Sequence, residues 1–170
     1  VKTANPRNKL TWTEPLATGA VSVDAAPEVV FDVVSDPVAM VAFAEELRRV
    51  RWLRGATGPA VGAWFAGSNR NGWRRWVTHA QVTDLEPGRR FAYRVRTPFL
   101  VPISRWEYEV TPEGSGCRVS VRNWLRVPRW FVPMAIAITG EPDRAGTNAA
   151  NIATTLRRLK AHLEHRPGSA

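Results

Sequence analysis

Between Leu47 and Arg126 the chain is cut by turn residues into six strand-like segments, approximately 47–54, 61–70, 73–84, 90–97, 104–111 and 117–126. The breakers are Gly55 to Pro59, Asn71-Gly72, Glu86-Pro87-Gly88, Thr97-Pro98 and Pro112-Glu113-Gly114. Parallel neighbours need a crossover of a dozen or more residues, so strands joined this tightly form an antiparallel meander. Asn71-Gly72 is the strongest hairpin signal, because both residues tolerate the positive φ of a two-residue turn. A seventh strand precedes them: from Gly19 to Asp24, Val21 and Val23 alternate with Ser22 and Asp24. Ala25-Ala26-Pro27-Glu28 then opens a short helix, with Pro at a position that needs no N–H donor and Glu28 at the positive end of the dipole. Val30, Phe31 and Val34 follow at helical spacing. Asp36-Pro37 ends that helix and starts a second, with Val38, Val41 and Phe43 on its apolar side.

The last third changes period. Trp130 to Ile138 is apolar throughout, Gly140 breaks it, and Glu141 to Glu164 reads as one amphipathic helix. Its stripe is Ala145, Ala149, Ile152, Leu156, Leu159 and Leu163. The expected fold class is α+β: a curved seven-stranded antiparallel sheet with two short helices and a long C-terminal helix, enclosing a cavity. At 170 residues the length fits one domain. Residues 1–16 read as an irregular arm, pinned onto the body by Trp12; the domain spans 17–165, and 166–170 form a tail.

Alternation along a strand assigns its two faces. Arg74, Trp76, Thr78, Ala80 and Val82 share one face of their segment and are expected inside. So are Phe91, Tyr93 and Val95, opposite Ala92, Arg94 and Arg96. Trp106, Tyr108 and Val110 oppose Arg105, Glu107 and Glu109, while Val119, Val121 and Asn123 oppose Arg118, Ser120 and Arg122. One helix laid across a strongly curved sheet cannot fill the concave space, which leaves a cavity. The candidate ligand-binding lining is Phe65, Asn69, Trp76, Thr78, Tyr93, Trp106, Tyr108, Asn123, Met134, Ile138, Asn148 and Ile152. Ordinary core packing accounts for any one ring in this set. A surplus of hydroxyls and amides among the rings asks for more, since buried polar groups need partners.

Twenty-four Lys and Arg against fifteen Asp and Glu give a formal charge of +9. Such a balance attracts phosphate-rich partners. The dense groups are only Arg48, Arg49 and Arg51 with Arg54, then Arg74-Arg75, then Arg89-Arg90. This scatter reads as solvated surface, with no specific nucleic-acid partner. A single cysteine, Cys117, excludes an internal disulfide and a cysteine-based zinc site, and no metal or cofactor is expected. Without a transmembrane run or a secretion signal in the sequence, a cytoplasmic location is the default expectation. The oligomeric state is not legible.

The order of elements resembles the START-like, polyketide cyclase/dehydrase superfamily, also called SRPBCC or helix-grip. Three phrases carry the resemblance: Val21-Ser22-Val23-Asp24-Ala25-Ala26-Pro27-Glu28-Val29-Val30-Phe31, the stretch from Val82 through Glu86-Pro87-Gly88-Arg89-Arg90-Phe91, and Asn151 to Lys160. Coverage runs from about Gly19 to Glu164. A narrower resemblance is to actinobacterial members with an Asn-Arg-x-Gly-x-x-x-Trp segment, here Asn69-Arg70-Asn71-Gly72 with Trp76. Those members also carry a Trp-x-Tyr strand and a Thr-Gly-x-x-Asp-Arg turn, matched by Trp106-Glu107-Tyr108 and by Thr139-Gly140 with Asp143-Arg144. The resemblance implies a fold and a hydrophobic ligand: a lipid, a polyketide or an aromatic metabolite.

Catalytic signals are sparse. His79 falls on the outward face, and His162 and His165 lie near the end of the helix. Asp143 with Arg144 reads as a helix cap or structural ion pair. No Gly-x-Ser-x-Gly, His-Glu-x-x-His or phosphate loop occurs. A carrier or sensor of a small hydrophobic molecule is therefore the first expectation. The alternative is a cyclase- or dehydratase-like enzyme working in the same cavity, and a protein- or nucleic-acid-binding role is third.

Overall fold

The structure is a computed structural model and describes residues 14–165. The expected arm up to Trp12 and the tail at 166–170 lie outside the described residues. The chain runs β1 (Ala17–Val23), α1 (Pro27–Val34), α2 (Pro37–Met40), β2 (Leu47–Leu53), β3 (Trp64–Asn71), β4 (Arg74–Glu86), β5 (Arg90–Arg96), β6 (Pro102–Glu113) and β7 (Gly116–Leu125). A 3₁₀ turn (Arg129–Phe131), α3 (Val132–Thr139) and α4 (Arg144–Glu164) follow. The seven strands form one antiparallel sheet in the order β1-β7-β6-β5-β4-β3-β2. The meander expected from the short turns occupies β2 to β7, and α1 with α2 carries the chain from one edge strand, β1, to the other, β2. Arg48, Arg49 and Arg51 lie exposed along β2. Repeated cations on an edge strand discourage pairing with another chain, which gives this basic cluster a structural reason.

The helix α4 crosses the concave side with Ile152, Leu156, Leu159 and Leu163 buried. Gly19 on β1 allows the close approach: a Cβ there would stand 2.5 Å from Ile152 Cγ2. The far end of the helix is tied to β1, where Lys160 Nζ donates to the Ser22 carbonyl at 2.7 Å and Glu164 accepts from the Asp24 amide at 2.9 Å. At its start, Asp143 accepts from the Gly146 amide at 3.0 Å and caps it. That cap moves the helix start from the expected Glu141 to Arg144.

One element exceeds the expected set. The apolar run from Trp130 to Ile138 forms the 3₁₀ turn and a third short helix, which ends at Gly140 with φ 76°. An all-apolar run has no polar face to reveal a 3.6-residue period, so its helical character was not legible. On the convex face Glu107 is buried although it alternates outward, because Arg105 and Arg122 both pair with it, at 2.8 and 3.0 Å. Among the described residues no helix is long and apolar enough to cross a membrane.

Candidate functional site

The concave space is not filled. A cavity of about 800 Å³ lies between the sheet and the N-terminal half of α4. Its walls are Phe65 and Asn69 from β3, Trp76 and Thr78 from β4, Tyr93 from β5, Trp106 and Tyr108 from β6, Met134 and Ile138 from α3, and Asn148 and Ile152 from α4. Phe91 and Val95, assigned to the same inward face by alternation, also border it.

The rings are held in a row. Trp52 meets Phe65 edge-on at 5.6 Å between centroids, Phe65 meets Tyr93 at 5.3 Å, and Tyr93 meets Phe91 at 5.6 Å. Phe65 and Tyr93 belong to strands separated by β4. They touch because the β4 residue paired with Phe65 is Ala80, too small to keep them apart. Edge-on contacts of this kind fix ring orientation as well as filling volume.

Asn123 is the one candidate that does not border the cavity. Fully buried behind the wall, its Nδ2 donates to the Arg105 carbonyl at 3.2 Å, and its Oδ1 accepts from Asn148 Nδ2 at 2.8 Å. Asn123 therefore orients Asn148, which does reach the cavity. Asn123→Leu is expected to cost about 1–3 kcal/mol in urea unfolding, because it strips the Asn148 amide of its buried acceptor. Across the cavity, Asn69 Nδ2 bridges the Gly67 carbonyl and Thr78 Oγ1, each at 3.2 Å.

Burial raises the hydroxyls of both Tyr93 and Tyr108, which lie close enough to influence one another. Tyr108 is pushed up to about 12, and Tyr93, also facing the Tyr108 oxygen, stands well above its ordinary value. These are the only two tyrosines in the chain. Alkaline titration followed at the tyrosinate band should thus show no step near pH 10 while the protein is folded. Because both folded values lie above the unfolded one, the stability that the neutral hydroxyls contribute is complete below pH 10 and is lost as the pH rises through about 12. A tyrosinate step near pH 10 that precedes unfolding would contradict this burial.

Two of the three motif segments, the β3–β4 hairpin and the Thr139–Arg144 turn, meet at one end of the cavity. Asn71 Nδ2 donates to the Thr139 carbonyl at 3.0 Å and to Glu141 Oε1 at 2.9 Å, and Arg74 Nε donates to the Ala137 carbonyl at 3.3 Å. The β3–β4 hairpin thereby holds the end of α3. Asp143 and Arg144, read together from sequence, separate in role: Asp143 caps α4, whereas Arg144 Nη1 pairs with Glu46 Oε2 at 2.7 Å and stands 6.0 Å from the centre of the Trp76 ring. Glu46, Arg144 and the loop from Thr97 to Val101 border the cavity and were missed. Glu46 and Arg144 are far apart in sequence, and no local pattern links them. None of the histidines borders the cavity: His79 lies on the opposite face from Thr78 and Ala80, and His162 packs on the Phe43 ring at 5.3 Å.

Solved structures with this architecture include a protein of Deinococcus radiodurans, with a TM-score of 0.62 at 20% identity over 87% of this chain and 95% of that one. A protein of Chromobacterium violaceum gives a TM-score of 0.64 at 18% identity, over 89% and 96%. The di-domain ARO/CYC of the steffimycin biosynthetic pathway gives 0.67 at 16% identity, over 88% of this chain and 50% of that one. At these identities the likeness is one of fold. Among curated proteins no sequence matches the chain. Membership rests instead on a sequence model that covers nearly every described residue: over residues 15–164 the chain belongs to the polyketide cyclase/dehydrase and lipid transport family.

Proposed function

We propose that the protein holds a small hydrophobic molecule, such as a lipid, a polyketide or an aromatic metabolite, between its sheet and α4, and acts as its carrier or sensor. The observation that carries this reading is the cavity of about 800 Å³ with rings on its walls and only a few polar tips. Its size falls in the ordinary range for a ligand site, roughly 300–1,000 Å³. Tyr93, Tyr108, Asn148 and the Asn69–Thr78 pair are hydrogen-bonding groups set among apolar walls, an arrangement suited to orienting a carbonyl or hydroxyl on an otherwise apolar ligand. Family membership and the fold shared with the ARO/CYC protein agree with this class of ligand.

Mass spectrometry of organic extracts from the purified protein, with titration of a hydrophobic fluorescent probe, tests the reading. Tyr93→Phe should keep the melting temperature close to wild type and weaken probe or ligand binding roughly two- to ten-fold, the worth of one hydrogen bond. Absence of saturable binding across fatty acids, aromatic polyketides and the probe would count against it.

The Tyr93–Tyr108 pair supports a second reading, a cyclase- or dehydratase-like reaction. Two neutral hydroxyls, near one another in an apolar space, can hydrogen-bond to a substrate carbonyl and stabilise an enolate there. Turnover of a bound poly-β-carbonyl chain that Tyr93→Phe and Tyr108→Phe abolish, with binding retained, separates the enzyme from the carrier.

A further inference from the structure

The cavity opens at the end of the sheet formed by the β3–β4 hairpin, the β5–β6 loop and the 3₁₀ turn with α3. Strand register places these together: the end of β5 pairs with the start of β6, and Arg126, just past β7, donates its amide to the Ile103 carbonyl at 2.8 Å. That end carries the most exposed large apolar side chains of the described residues: Phe99 is 90% exposed, Trp73 80% and Trp130 72%. Leu100, Val132 and Met134 stand beside them. Phe99, Val132 and Met134 also border the cavity, so the exposed ring of apolar side chains is its mouth.

The β5–β6 loop is built to present its tip. Leu100 has a φ of 67°, a conformation that side-chain-bearing residues rarely adopt. It is held there by Leu100 N donating to the Thr97 carbonyl at 2.9 Å, Thr97 N to the Val101 carbonyl at 2.9 Å, and Val101 N to Thr97 Oγ1 at 3.1 Å. Phe99 and Leu100 thus project from a braced turn with no core to enter.

The charge around this rim is one-sided. Arg75 and Arg129 are exposed there, and neither is among the ion pairs of the described residues. Arg74 lies 4.5 Å from the Trp73 ring centre. The acids at the same end are engaged: Glu46 by Arg144, Glu141 by Asn71 and Thr147, and Asp143 by the α4 amide. Tryptophan and phenylalanine tips beside arginines are the side chains that settle at the boundary between acyl chains and anionic headgroups.

We propose that this end of the molecule docks on an anionic lipid bilayer, with Phe99, Leu100 and Trp130 entering the interface and the cavity mouth facing the acyl chains. The hydrophobic ligand then passes between bilayer and cavity without crossing water. Protruding tips favour this occupant over a protein partner, whose surface would have to supply a separate socket for each.

Flotation of the full chain with vesicles of phosphatidylcholine, with and without phosphatidylserine, tests the proposal. The chain should float with the phosphatidylserine vesicles and not with the neutral ones, and added salt should weaken the association. Phe99→Ser with Trp130→Ser should reduce partition at least roughly ten-fold at an unchanged melting temperature, since both side chains are in solvent. Arg75→Glu with Arg129→Glu should reduce it as well. No flotation with anionic vesicles overturns the proposal, as does equal flotation of the Ser double variant. Probe titration without vesicles reads the cavity separately, so loss of vesicle binding beside intact probe binding removes the docking surface and leaves the proposed ligand function standing.

Discussion

Leu159→Asp is expected to leave the protein unfolded or aggregated at room temperature. Leu159 is fully buried at the centre of the α4 stripe, in a cluster with Val30, Phe31, Val119 and Val121. Ionised carboxylates tolerate such surroundings only when paired, so the variant either buries an unpaired charge or detaches the helix. Either route exceeds about 4 kcal/mol, against a total stability of roughly 5–15 kcal/mol for a domain of this kind. Leu159→Ala, which leaves only a void, should retain the fold and lose about 2–5 kcal/mol. Circular dichroism and urea unfolding of the two variants check the contrast. An aspartate variant with a wild-type melting curve would mean that the sheet does not grip this helix.

The second large effect is expected at Gly116, where β7 starts. A Cβ there would lie 2.1 Å from the Val23 carbonyl oxygen and 3.0 Å from Asp24 Cα. The obstacle is backbone, not the end of a flexible side chain, so it cannot move aside without shifting β1 from its register with β7, where Val23 faces Cys117. Gly116→Ala should therefore cost about 3 kcal/mol, at the upper end of ordinary overpacking. For a domain of this length that corresponds to a fall of roughly 6–12 °C in melting temperature. Gly58→Ala is the matched control: nothing lies within 4 Å of its Cβ position and its φ is not positive. Its melting curve should superimpose on that of the wild type.

The cavity mouth illustrates how short-range and long-range information divide. Phe91, Tyr93, Trp106 and Tyr108 could be placed on the concave face because a strand's period of two is a local property, readable wherever charged and apolar residues alternate. The same alternation assigned Asn123 inward correctly, yet said nothing of what stands in front of it. Asn148, on an element 25 residues away, occupies that place and turns a candidate ligand contact into a buried amide pair. Arg144 was visible in the Thr-Gly-x-x-Asp-Arg turn, but its partner Glu46 lies 98 residues earlier. Glu107 was rightly placed on the outer face, and only the two arginines that close over it make that position buried.

By itself, then, the sequence determined the strands, the long helix and their faces: five short turns force a meander, alternation assigns each strand's inner side, and the Ile152–Leu163 stripe needs a sheet to cover it. These are consequences of local sterics and burial, complete within a few residues. The tertiary structure decided how much concave space remains empty, which polar tips reach it, and that Trp73, Phe99 and Trp130 share one rim. Those properties depend on sheet curvature and on contacts between residues tens of positions apart, and no local periodicity encodes such distances.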